Sequence, residues 1–171
     1  PYANGAIPCL RTANVQSEIE WDDLMWIPRE YITGPEKLVQ EGDIIMSTAN
    51  SRALVGKSAI ARREPDVEIS FGAFLTTVRP VQILPEFLHI LLNAPTNRDF
   101  LTDTATQTTN IANISNQRLN HLPLAMCGIA EQTEIVRRVD ELMAACTALA
   151  ESTTAKTERA DLLLERALVT K

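Results

Sequence analysis

The sequence predicts an α+β fold, a mixed α/β domain followed by a long coiled-coil-forming α-helix. Two observations carry that expectation. All nine prolines and five of the six glycines lie before residue 128, where they punctuate short apolar segments. Beyond Gly128 neither residue recurs, and apolar side chains return at alternating spacings of four and three. The break near Cys127 and Gly128 sets expected boundaries of 1–127 for the domain and 128–171 for the helix. With 171 residues and 45% hydrophobic content, the chain can bury one sizeable core plus an appendage. The opening PYANGAIPCL lacks the charged and apolar regions of a secretory signal, and no run approaches the ~20 apolar residues of a membrane span. A soluble cytoplasmic protein is expected.

Taken in chain order, GDIIMS (42–47) and KSAIAR (57–62) read as strands separated by the polar loop TANSRALVG. VEISFGAFLTTVRP (67–80) is rich in β-branched and aromatic residues and reads as a strand ended by Pro80. PEFLHILLN (85–93) starts with proline at a first helical position and places Phe87, Leu88, Leu91 and Leu92 at helical spacing. His89 lies within that apolar helix and is expected to be packed rather than catalytic. TATQTTNIANIS (104–115) has little to bury and many hydrogen bonds to offer, and reads as a polar loop. From residue 131 a stripe runs through Ile135, Val139, Leu142, Cys146, Leu149, Thr153, Lys156, Ala160, Leu163 and Ala167. One helix over 131–169 would be roughly 58 Å long, and such a stripe requires a partner helix. Thr153 and Lys156 weaken its middle, and STT is poor helix material, so a hairpin bending there is the alternative.

Catalytic constellations are missing from the sequence. SRALVGKSAI (51–60) contains Gly56-Lys57-Ser58, the end of a phosphate-binding loop. Ser51 occupies the first glycine position, however, and only six residues separate Ser58 from Pro65, too few for the helix whose N-terminus would hold phosphate. His89 and His121 lack a Ser or Cys partner in a motif, and the adjacent acids of EWDDL (20–24) fit a solvated loop. Cys9, Cys127 and Cys146 show no metal or disulfide spacing and read as ordinary buried thiols, Cys146 on the helix seam.

The net charge of −6 argues against bulk attraction to nucleic acid. Its distribution is uneven, however. Residues 44–63 hold no acid and four bases, Arg52, Lys57, Arg62 and Arg63, while residues 104–130 hold Arg118 as their only full charge. These two acid-free stretches suit a polyanion. Amide and guanidinium side chains can read base edges, and hydroxyl and cationic ones suit backbone or mixed contacts.

GAIPCLRTANV (5–15), LVQEGDIIMSTANSRALVGKSAI (38–60), TTNIANIS (108–115), LNHLPL (119–124) and EQTEIVRRVDELMA (131–144) occur in the order seen in specificity subunits of type I restriction-modification systems, which the chain resembles over nearly its whole length. The resemblance implies a non-catalytic target recognition domain that reads one half of a bipartite site in double-stranded DNA, with Asn50, Arg52, Gln107, Asn110 and Asn113 as suitable base readers and Thr12, Asn14, Ser47, Thr48, Lys57, Ser58, Thr108 and Thr109 suited to backbone or mixed contacts. It also implies a spacer helix that packs against a counterpart, in a second half-subunit or a homodimer, through Ile135, Val139, Leu142, Cys146, Leu149, Ala160 and Leu163. Partners would be methyltransferase (modification) subunits using S-adenosylmethionine and a restriction (motor-nuclease) subunit using ATP and magnesium. The chain itself would hold no cofactor and no metal. Family members generally carry two recognition domains and two helices, whereas this chain has one of each, so a half-subunit or fragment is expected. A protein-interaction adaptor working through the coiled coil is the alternative of a different class. It would share the helix but have no need of acid-free polar loops.

Overall fold

The computed structural model describes residues 5–62, 67–103, 106–108 and 111–169, with side chains for all of these except 106–108, 111 and 160–169. Its elements are, in order, β1 (Ala6–Leu10), β2 (Met25–Pro28), β3 (Ile44–Ser47), β4 (Ala49–Asn50), β5 (Ser58–Ile60), β6 (Ser70–Phe71), β7 (Leu75–Val78), α1 (Pro85–Asn93), α2 (Pro95–Asp103), β8 (Thr106–Thr108), β9 (Ile111–Asn113), α3 (Asn116–Leu119) and α4 (Ile129–Val169). Contacts divide the chain into two compact units, Pro1–Ile129 and Ala130–Lys171.

The first unit is organised around β3, whose four residues are all buried. It pairs antiparallel with β5 on one side, Ile44 opposite Ile60, and with β7 on the other, Ile44 opposite Val78. Because successive strand residues point to opposite faces, Ile44 and Met46 join one cluster with Val55, Leu88 and Leu92 of α1, Leu101 of α2 and Ile114. Ile45 joins a second cluster with Leu10, Val15, Ile19, Val39, Ala59, Ile69 and Leu75. The continuous apolar run IIM is therefore a strand covered on both faces. His89 on α1 is packed as expected, with its Nε2 3.1 Å from the Ser58 carbonyl on β5.

Two smaller sheets complete the unit. β1 pairs antiparallel with β2 and parallel with β6, and β4, β9 and β8 form a three-stranded antiparallel sheet. The stretch 67–80, expected as one strand, divides into β6 and β7, which serve different sheets. Gly72 makes the division. Its N–H donates to the Leu10 carbonyl at 2.9 Å, its own carbonyl accepts from Leu75 N–H at 2.9 Å, and a Cβ there would stand 3.4 Å from the Leu10 oxygen. The stretch 104–115, expected as a loop, contributes β8 and β9. The sequence reading did not anticipate β1, β2 or α2.

Immediately before β3, Asp43 is 1% exposed. Its carboxylate accepts from Arg79 Nε and Nη2, both at 2.8 Å, and from Gln40 N–H at 2.8 Å. The hydrogen bonds to Asp43 raise the Arg79 pKa above its usual value. Arg79 Nη2 also donates to the Leu38 carbonyl at 3.1 Å, so the fork ties the end of β7 to the turn that launches β3.

In the second unit, α4 runs for 41 residues as one helix, so the hairpin alternative is not what forms. The threonine-rich middle stays helical with its hydroxyls satisfied locally. Thr153 and Thr154 donate to the carbonyls of Leu149 and Ala150 at 2.9 and 3.1 Å, and Thr157 donates to that of Thr153 at 3.1 Å. Near its start, Arg137 and Arg138 both hydrogen-bond Glu134, and Arg137 also reaches Glu141 at 2.5 Å. These arginines, Arg137 foremost, hold the Glu134 carboxyl at about 2.

Two outcomes are expected. Arg79→Met leaves the buried Asp43 carboxylate without its charge partner and should remove about 3 kcal/mol of stability, read as a lower urea midpoint at unchanged slope. The Glu134 network, with a folded pKa below the unfolded value of 4.5, should support α4 fully above about pH 4.5 and be lost as pH falls toward 2. Helicity by circular dichroism should therefore decline across that window in the wild type, and decline less in Glu134→Gln.

Candidate nucleic-acid interface

Loop 11–23 between β1 and β2 is rigid because Asn14 staples it. Asn14 Oδ1 accepts from Arg11 N–H at 2.9 Å, its Nδ2 donates to the Asp22 carbonyl at 3.1 Å, and its carbonyl accepts from Glu20 N–H at 2.8 Å. Arg11 closes the outside of the loop by donating to Asp23 Oδ2 at 2.9 Å. The staple presents Thr12 and Gln16 outward. Across from them the chain leaves β3 at Ser47 and returns at Lys57, and the two segments enclose a cleft of about 230 Å³ lined by Thr12, Gln16, Ser47, Asn50, Leu54 and Lys57.

The Gly56-Lys57-Ser58 tripeptide is part of this return. Gly56 has φ +77°, a left-handed conformation that suits glycine, and a Cβ there would come within 3.2 Å of Arg98 Nη1. Gly56 N–H donates to the Ser47 carbonyl at 2.7 Å, Lys57 N–H donates to that of Leu54 at 3.1 Å, and Ser47 N–H donates to that of Lys57 at 2.8 Å. The loop amides are thus spent inside the loop, and a strand follows instead of a helix. A phosphate cradle needs the opposite of both.

The remaining expected contacts fall into several groups. Thr48 is the crossing point between sheets. Its N–H donates to the Phe74 carbonyl at 2.9 Å and its own carbonyl accepts from Ile114 N–H at 2.8 Å, after which β4 pairs with β9, Ala49 opposite Asn113 and Asn50 opposite Ala112. This pairing sets the two acid-free stretches side by side. Asn113 is exposed, and Asn50, half-buried, donates to Ser47 Oγ at 3.3 Å. Arg52 is exposed, with Asp103 Oδ1 3.5 Å away, a loose surface pair of small net value. Gln107 and Thr108 lie on β8, their side chains outside the described residues, as are Thr109 and Asn110 altogether.

Asn14 and Ser58 require correction. Asn14, 3% exposed, is engaged on both ends of its amide as the loop staple and presents nothing outward. Ser58, 5% exposed, accepts from Asn93 Nδ2 at 3.3 Å inside the domain. Thr48 and Ser47 are also buried, Ser47 reaching the cleft only from its floor. Gln16 was missed in the sequence, although it continues the alternation of polar residues Thr12 and Asn14. On α4, Ile135 and Val139 are partly buried, whereas Leu142, Cys146 and Leu149 are exposed, and the side chains of Ala160 and Leu163 lie outside the described residues. Cys146 is therefore not a core thiol within its own unit. Cys9 is buried, and burial pushes its thiol pKa up.

The chain thus combines an α+β domain with a 41-residue helix. No family model matches the chain. The chain is similar to the type I restriction enzyme StySPI specificity subunit of Salmonella potsdam, 27% identical over 162 residues that cover 94% of this chain and 34% of the relative. It is likewise similar to the EcoKI specificity subunit of Escherichia coli, 26% identical over 94% of this chain and 33% of the relative. The chain thus spans about a third of the length of the curated relatives it matches. Among solved structures it resembles the HsdS subunit from Thermoanaerobacter tengcongensis, with TM-score 0.67 and 17% identity over 92% of this chain and 41% of that one. It also resembles a chain from a type I R-M system assembly, with TM-score 0.57 and 18% identity over 87% of this chain and 35% of that one. The sequence likenesses bear out the resemblance carried by the motifs, and the structural ones bear out the fold.

Asn14→Ala should unstaple loop 11–23 at a cost of about 1 kcal/mol, because part-buried backbone groups of Arg11 and Asp22 lose their partners. Thermal unfolding should register the loss, and limited proteolysis should cut first within that loop.

Proposed function

We propose that this chain is a sequence-specific DNA-recognition segment of a type I restriction specificity subunit, reading one half of a bipartite site without catalysing a reaction. The observation that carries this reading is the antiparallel pairing of β4 with β9. It joins the two acid-free stretches, far apart in sequence, beside the cleft that holds Thr12 and Lys57. Arg52, Asn50 and Asn113 are then the residues fit to read base edges. Arg pairs bidentately with guanine and Asn with adenine, while Thr12 and Lys57 suit backbone or mixed contacts. α4, roughly 60 Å long at 1.5 Å per residue, serves as the spacer that pairs with a second helix through its exposed stripe. The names of the relatives, type I restriction enzyme specificity subunits, support partners of the restriction kind, and to these we add methyltransferase subunits using S-adenosylmethionine, a motor-nuclease subunit using ATP and magnesium, and a cytoplasmic setting.

Binding by the chain alone should be weak and only shallowly salt-dependent, because one half-site offers few phosphate contacts and the net charge is −6. Selection from random duplexes with the modification subunits present should enrich a short motif. Arg52→Ala should cost about 1–3 kcal/mol and relax one position of it. Failure to enrich any motif would sink the DNA-reading proposal and favour the adaptor. A uniform loss across sequences would reassign Arg52 to a phosphate.

A further inference from the structure

Gln16 has a geometry that ordinary surface amides lack. Its Nε2 donates to the Ala13 carbonyl at 2.7 Å, which fixes the orientation of the amide, and its Oε1 accepts from Lys57 Nζ, forty-one residues away. Both side chains are half-buried and line the same cleft as Thr12 and Asn50. The amide is held on a loop made rigid by the Asn14 staple, and Lys57 stands on the hydrogen-bonded return beside β5.

A free lysine is a point charge on a flexible four-carbon stem, suited to any phosphate oxygen within reach. The ammonium carries three donors. Committing one of them to an oriented amide oxygen determines where the others stand, and so gives a lysine the directional definition that reading a base edge requires.

We infer that Gln16 is a positioning residue that turns Lys57 into a base reader, the pair presenting fixed N–H donors to the O6 and N7 acceptors of one guanine in the major groove. The inference rests on the DNA-reading proposal. It adds to it a residue outside the acid-free stretches and a base identity.

The test is selection from a random duplex library by the full chain with the modification subunits present, wild type against Gln16→Ala, Lys57→Ala and the double variant, with melting temperatures measured alongside. Wild type should enrich a motif containing a guanine. Gln16→Ala should lower the preference for that guanine about ten-fold while the other motif positions keep theirs. Lys57→Ala should relax the same position, and the double variant should relax it no further than Lys57→Ala alone. An unchanged motif in Gln16→Ala would overturn the inference and leave DNA reading standing. So would a uniform loss at every position with a flatter salt dependence in Lys57→Ala, which marks a phosphate contact. A wild-type chain that enriches nothing would overturn the DNA-reading proposal itself.

Discussion

The candidate interface depends on a single strand being buried on both faces. β3 can hold Ile44 and Met46 in one core and Ile45 in another only if neighbours pair with it on both edges and layers cover it above and below. The Asp43–Arg79 fork enforces that arrangement at its starting end. It ties β7 to the turn before β3, while the Asp43 carbonyl accepts from Ala61 N–H at 2.8 Å just beyond β5. A charge this deeply buried is tolerable only with its partners in place, so the pairing of the three strands and the launch of β3 form or fail together.

Everything at the candidate interface follows from how the chain leaves that strand. At Thr48 it stops pairing with the central sheet and crosses to β9, because Phe74 and Ile114 take its backbone groups. The following loop must then return to β5 within a few residues, and Gly56 permits the sharp turn. Backbone groups in so short a return are satisfied within it, Ser51 N–H by the Asn50 amide oxygen at 2.8 Å, and Arg52 stays exposed at the rim. A phosphate-binding loop uses the same residue types in the opposite way, keeping its amides for the ligand.

Polar residues in this domain divide by the same rule. A buried polar group must be hydrogen-bonded, so Asn14, Ser58 and Asp43 are consumed in holding the structure. Polar side chains at the rim, such as Arg52 and Asn113, have no such obligation. On α4 the division is between faces. Its ion-paired residues Glu134, Arg137, Arg138 and Glu141 support a helix whose apolar residues Leu142, Met143 and Leu149 are each more than 60% exposed.

The sequence by itself determined the elements whose signal is local and periodic. β3, β5 and α1 follow from apolar runs bounded by proline or glycine, α4 from its sustained heptad spacing and lack of breakers, and the uneven placement of acids is a property of the chain before it folds. Pairing was not determined there. β1, β2, β8 and β9 are short strands that exist through their partners, α2 has few apolar residues to mark it, and the division of 67–80 required the Leu10 carbonyl to meet Gly72. Asn14 and Gln16 show the limit at the scale of one site. They are amides two positions apart with the same chemistry, and only the folded loop decides that one turns inward to staple it while the other reaches across a cleft to Lys57. Local interactions are written in neighbouring residues, whereas the fate of a polar side chain is set by whatever distant backbone comes to lie beside it.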